Sequence, residues 1–128
     1  MCSERDIASA MENRYAFGRN GEGRAAEFLE SKGFAILNRN YRCGRIGEMD
    51  IIARRESLLL FVEVKSRNSK RYGGALYAVT QRKRKTLRYI AAQYLACHPE
   101  LNSRDITCRF DVIAYENGEI QWIEDAIR

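Results

Sequence analysis

A single histidine, His98, and a single proline, Pro99, stand among 128 residues, and each scarcity removes a class of explanation. One imidazole cannot build the histidine–metal nuclease centres, the two-histidine phosphodiesterases or the His-Glu-x-x-His zinc proteases. With one proline and no Ser-rich or low-complexity tract, nothing in the chain reads as a linker between domains. The four cysteines, Cys2, Cys43, Cys97 and Cys108, include no C-x-x-C pair. That spacing argues against a structural zinc site and a disulfide framework and fits reduced thiols. No apolar run approaches the roughly 18 residues that cross a bilayer. The first residues, with Glu4, Asp6, Glu12 and Arg14, lack the apolar stretch of a secretory signal. A cytoplasmic protein with no membrane partner is therefore expected. Neither a G-x-x-x-x-G-K-[ST] phosphate loop nor a G-x-S-x-G nucleophile elbow occurs.

What is present is ordinary globular composition, 45% hydrophobic and 30% charged, with a net charge of +5. One core fits the length. The cations come in groups: Arg39, Arg42 and Arg45; Lys65, Arg67, Lys70 and Arg71; then Arg82 to Lys85 with Arg88. Such clusters make either a phosphate-binding footprint or a solvated charged face.

Residues 1–17 show no clear periodicity and read as an N-terminal extension, leaving 18–128 as one domain. A helix is predicted from Gly21 to Lys32, with Asn20 as N-cap, an apolar stripe of Ala25, Ala26, Phe28 and Leu29, and Gly33 at the C-terminal end. Strand character follows over Phe34 to Tyr41, Met49 to Ala53 and Leu58 to Lys65. After Gly73-Gly74 a second helix runs from Gln81 to Ala96, where Leu87, Ile90, Ala91, Tyr94 and Leu95 repeat with helical period, and His98-Pro99 ends it. Thr107 to Tyr115 and Glu119 to Ile123 flank Asn117-Gly118, a hairpin signal. The predicted order is helix, three strands, helix, two strands.

Strand alternation places Phe61, Glu63 and Lys65 on one face and Val62 and Val64 on the other. If the second and third strands join through a two-residue loop at Glu56-Ser57, Arg55 opposes Leu58, and counting back sets Asp50 opposite Glu63. Two opposed carboxylates destabilise a bare sheet, so this register calls for something positive between them: a divalent cation or Lys65. A loop one residue longer or shorter would turn Asp50 to the other face. Glu22 lies in phase with Ala25, Ala26 and Leu29, so it points inward or to the end of the stripe; a first-turn acid favoured by the helix dipole is the plainer reading. Lys83 is in phase with Leu87, Ile90 and Tyr94 near a helix N-terminus, where cations are disfavoured. A phosphate partner or snorkelling to solvent would resolve that conflict. Asp111 is left open between a supporting role and a plain ion pair.

Gly47-Glu48-Met49-Asp50-Ile51-Ile52-Ala53 followed by Phe61-Val62-Glu63-Val64-Lys65 resembles the D…E-x-K signature of the PD-(D/E)xK nuclease superfamily. Across about Gly18 to Tyr115, further blocks resemble the YraN family, which is similar to archaeal Holliday-junction resolvases. These are G-x-x-G-E ending at Glu22, Asn40-Tyr41-Arg42, the lysine-bearing helix and Arg109-Phe110-Asp111-Val112-Ile113. The resemblance implies an α/β, restriction-endonuclease-like α-β-β-β-α-β core, a mixed sheet flanked by helices with a C-terminal hairpin. Carried over by position, the catalytic set is Glu22, Asp50, Glu63 and Lys65, with Asp50, Glu63 and Glu22 as metal ligands. The superfamily's proline is replaced by Met49.

The expected function is a Mg²⁺- or Mn²⁺-dependent nuclease that hydrolyses DNA phosphodiester bonds, with branched or structured DNA among its substrates. Hard divalent ions take oxygen ligands and keep several waters, so two carboxylates and a backbone carbonyl suffice to hold one. Arg42, Arg45, Arg67, Arg82 and Lys83 are the candidate nucleic-acid contacts. The competing expectation is a non-catalytic nucleic-acid-binding module that retains the fold; a purely structural protein would not need the acid–lysine spacing. A homodimer, which junction cleavage would require, is left open.

Overall fold

The computed structural model describes residues 21–67, 79–116 and 118–127. The expected N-terminal extension (1–17), the Asn20 cap and the Gly73-Gly74 break lie outside them. The elements are α1 (Gly21–Ser31), β1 (Ala35–Cys43), β2 (Gly47–Arg55), β3 (Leu58–Arg67), α2 (Gln81–Cys97), a 3-10 turn (Pro99–Leu101), β4 (Thr107–Glu116) and β5 (Glu119–Ile123). This is the predicted order, with only the 3-10 turn unforeseen. One mixed sheet holds all five strands in sequence order. β3 and β4 run parallel, the other neighbours antiparallel. A parallel pair needs a long crossover, and α2 lies within it.

Helix α1 ends where Gly33 takes φ 92. Gly33 N–H donates to Glu30 and Phe34 N–H to Leu29, a Schellman closure that satisfies the last carbonyls. Helix α2 starts at Thr80, whose hydroxyl accepts from Lys83 N–H at 3.1 Å. It stops at His98, whose ring stacks on Tyr94 at 4.0 Å and whose Nδ1 meets the Tyr94 carbonyl. The only histidine thus finishes a helix.

Two apolar clusters cover the two faces of the sheet. Ala25, Ala26 and Leu29 of α1 pack with Ile51, Ala53, Leu60, Val62 and Ile113. Leu87, Ile90, Ala91 and Tyr94 of α2 pack with Met49, Ile52, Phe61 and Val112. Strand β3 alternates as its sequence pattern requires, with Phe61 toward α2 and Val62 and Val64 toward α1. At the tip of the β1–β2 hairpin, Gly47 has φ 152, and a Cβ there would come within 3.0 Å of the Thr86 methyl. Glycine therefore lets the hairpin lie directly on α2.

β2 departs from strict alternation. Met49 and Ile52, three residues apart, both pack against α2. On β1, Tyr41 and Asn38 show the same spacing: Tyr41 meets the Tyr94 ring at 5.0 Å, and Asn38 accepts from the Tyr94 hydroxyl at 2.7 Å. Between them, Asn40 takes a left-handed φ of 53, and the β1–β2 pairing skips Asn40 and Asp50. Each strand therefore changes phase at the position that bears on the candidate site.

Candidate active site

The two-residue loop at Glu56-Ser57 sets the deduced register: Arg55 opposes Leu58, and the ladder runs to Ile51 opposite Val62. There it stops, one pair short of Asp50 and Glu63. Val64 N–H donates instead to the Asp50 carboxylate at 2.8 Å. Asp50 thus lies where one ladder ends and the other is interrupted, and its side chain takes the place of a backbone partner. A regular pair would instead have set Asp50 directly opposite Glu63 on one face of the sheet.

Asp50 and Glu63 nevertheless meet. Burial, then repulsion from Glu63, push the Asp50 carboxyl up to about 8; the Val64 hydrogen bond opposes the shift, and Glu22 adds to it. Glu63 is itself only 6% exposed. Its Oε2 lies 3.5 Å from Lys83 Nζ and 3.8 Å from Lys65 Nζ. Its Oε1 is buried with no hydrogen-bond partner among the described residues. A buried carboxylate oxygen without a donor is costly, and an ordered water, a proton shared with Asp50 or a cation between the carboxyls would satisfy this one. The donor set is all oxygen, which suits Mg²⁺ or Mn²⁺ rather than zinc.

Glu22 stands apart from this pair. In the first turn of α1 it accepts from Asn40 Nδ2 at 2.8 Å and lies 3.8 Å from Arg39 Nη2. Burial lowers the Arg39 pKa, and the charges of Glu22 and Glu30 counter it. Glu22 therefore acts on Asp50 through its charge. Among the described residues no three His, Cys, Asp or Glu side chains are grouped so as to hold an ion, and Glu22, one of the three expected ligands, has Asn40 and Arg39 as its near partners. Asn40 and Glu48, whose Oε1 lies 3.5 Å from the same Asn40 amide, are members the sequence reading did not single out. The available signal was an asparagine inside a strand run, where a left-handed φ is tolerated.

Lys83, expected on the nucleic-acid surface, reaches inward to Glu63, which explains a lysine on the apolar phase of α2. Arg42 is 70% exposed and lies 3.6 Å from Glu48. Arg45 and Arg82 are exposed. Arg67 belongs to β3, but its side chain lies outside the described residues. An open groove of ≈ 250 Å³ is lined by Ile46, Gly47, Thr80, Arg82, Lys83 and Thr86, and Lys83 connects it to Glu63. With no acid in the first turn of α2 and two cations along the groove, its field favours an anion.

Asp111 is not part of this site. Fully buried, it accepts from Arg109 Nε and Nη2 (both 2.9 Å), from Trp122 Nε1 (2.8 Å) and from Asp125 N–H (2.9 Å). These bonds tie the C-terminal turn to β4 and satisfy the carboxylate completely. Cys43, Cys97 and Cys108 are free thiols. No helix among the described residues is long and apolar enough to cross a membrane.

Comparison with known proteins places these features in a common frame. A protein of Shewanella loihica, named as a UPF0102 protein, is 41% identical over 109 residues, covering 85% of this chain and 91% of that protein. A UPF0102 protein of Alcanivorax borkumensis is 42% identical over 114 residues, covering 85% and 89%. One from Burkholderia vietnamiensis is 40% identical over 124 residues, covering 96% and 83%. Residues 21–115, which hold Glu22, Asp50, Glu63, Lys65 and Lys83, match the family described as uncharacterised protein family UPF0102. The chain belongs to that family, UPF0102, the YraN family of the sequence resemblance.

Proposed function

We infer that this protein is a divalent-metal-dependent nuclease that hydrolyses DNA phosphodiester bonds, with Asp50 and Glu63 holding Mg²⁺ or Mn²⁺. The observation that carries the reading is the carboxylate pair at the end of the β2–β3 ladder, Glu63 buried and Asp50 partly so, with Glu63 Oε1 unsatisfied among the described residues and Lys65 beside it. A bound Mg²⁺ supplies positive charge to neutralise the phosphodiester and raises the acidity of an attacking water. The protein's own part is positional. Val64 N–H fixes Asp50 at 2.8 Å, and β3 projects Lys65 to the same face as Glu63. There its ammonium can orient the water or offset the charge that develops on the phosphorus oxygens. Glu22, held by Asn40, keeps the pocket's field negative and so favours a cation. Arg42, Arg45 and Arg82 lie exposed around the hairpin tip and groove, suited to backbone phosphates rather than bases.

A second reading is favoured by one observation: Glu63 has two ammonium partners, Lys65 and Lys83. On that reading the acids are ion-pair partners in a nucleic-acid-binding module, with salt-sensitive binding and no cleavage. The two separate in one experiment. Mg²⁺ and Mn²⁺ are titrated into the wild type, Asp50→Asn and Lys65→Met by calorimetry. The same samples are then incubated with linear, single-stranded and four-way-junction DNA. The nuclease reading expects metal binding and cleavage in the wild type and loss of both in Asp50→Asn. In Lys65→Met, metal binding persists and cleavage drops by at least about a hundredfold, the scale of losing one charge-stabilising donor. DNA binding without cleavage at any metal concentration would sink it in favour of the binding module.

A further inference from the structure

Charge balance at Glu63 points to a role for Lys83 beyond either reading's simple form. Asp50, Glu63, Lys65 and Lys83 carry two negative and two positive charges when all are ionised. Both ammonium groups approach the same oxygen, Oε2, and leave Oε1 bare. The two lysines thus stand in for a dication without filling its place. A divalent ion between the carboxyls would leave this group of four with an excess of two positive charges, which disfavours one ammonium. Lys65 cannot easily leave, because its backbone is pinned within the β3–β4 ladder opposite Ala114 and its side chain is 26% exposed. Lys83 can. It sits in the first turn of α2, its side chain is 38% exposed, and the same side chain lines the groove with Thr80, Arg82 and Thr86.

We propose that Lys83 is an exchangeable counter-ion of Glu63, pairing with it while the metal is absent and turning into the groove toward a phosphodiester when the metal is bound. The proposal rests on the metal-site reading and adds regulation to it. Metal binding releases a cation to the substrate side, and a phosphate anion in the groove draws Lys83 away from Glu63. The divalent ion and the phosphodiester therefore bind with positive coupling, equal in both directions. The device would keep the free protein from committing a tightly held ion before a substrate is present.

The test is Mg²⁺ titration by calorimetry of the wild type, Lys83→Met, Lys83→Arg and Arg82→Met. Each is run alone and with a phosphorothioate-linked DNA duplex that is hydrolysed poorly. Methionine keeps the aliphatic stem and removes the charge. Lys83→Met should bind Mg²⁺ alone about two- to fivefold more tightly than the wild type, the scale of a partly exposed ion pair. Lys83→Arg should match the wild type without DNA, and Arg82→Met, which removes the other groove cation, should fall short of the gain seen in Lys83→Met. The duplex should tighten Mg²⁺ binding in the wild type and clearly less in Lys83→Met. If the wild type binds Mg²⁺ but Lys83→Met binds it equally or more weakly, the counter-ion proposal is overturned while the nuclease reading stands. A wild type that neither binds Mg²⁺ nor cleaves overturns both.

Discussion

Replacing Asp50 with asparagine should stabilise the metal-free protein, and more so as the pH rises. Burial and Glu63 push the Asp50 carboxyl from 3.8 to about 8, so the folded state holds this proton more tightly than the unfolded chain. A folded value raised above the unfolded one contributes stability that is complete below about pH 4 and is lost as the pH climbs through about 8. About three units of that window lie between pH 5 and pH 8; at about 1.4 kcal/mol per unit, the ceiling is about 4 kcal/mol. Asp50 is only partly buried, so solvent screens part of this and the expected loss is nearer about 2 kcal/mol. Asparagine keeps a carbonyl oxygen for Val64 N–H, bonded at 2.8 Å in the wild type. Its amide can donate toward Glu63, so the variant imitates the protonated acid at every pH. The assay is guanidinium denaturation of both proteins at several pH values from 5 to 8 with a chelator present. The wild-type midpoint should fall relative to the variant across this range, and Mg²⁺ at pH 8 should restore the wild type alone. Parallel curves for the two proteins would refute the buried carboxyl pair.

Two further predictions concern the frame that holds the site. Asp111→Ala strips the partner from Arg109, Trp122 and Asp125 in a buried position and should cost about 3–5 kcal/mol by urea denaturation. Trp122 is the chain's sole tryptophan, so its emission should shift in the folded variant; a loss under about 1 kcal/mol would deny Asp111 this structural role. Tyr94→Phe removes the hydroxyl that donates to buried Asn38 at 2.7 Å and should cost about 1–2 kcal/mol. An unchanged denaturation midpoint would mean that this bond does not help to hold α2 on the strand-phase change.

Several features that position the site were legible in the chain because they depend on neighbours in sequence. The helical period of Leu87, Ile90 and Tyr94, the alternation of Phe61 through Lys65 and the two-residue loop at Glu56-Ser57 are local, and each recurs in the structure. Counting back from that loop brought Asp50 to Glu63 without any coordinates. The same count expected a regular pair where the ladder ends, because period-two reasoning assumes unbroken strands. Asn40 and Asp50 break both strands together, a cross-strand irregularity visible only once β1 lies beside β2.

The amino-acid sequence by itself determined the order of elements, the acid and lysine on β3, and the family to which the chain belongs. It could do so because periodicity, turn geometry and motif spacing are short-range properties of the chain. Only the tertiary structure decided which charges meet. It drew Lys83 across from α2 to Glu63, held Glu22 against Asn40, and enclosed Asp111 within four hydrogen bonds. The reason is physical: the fate of a charge depends on its burial and on the groups that packing brings to it from distant segments, and neither is encoded at any one position.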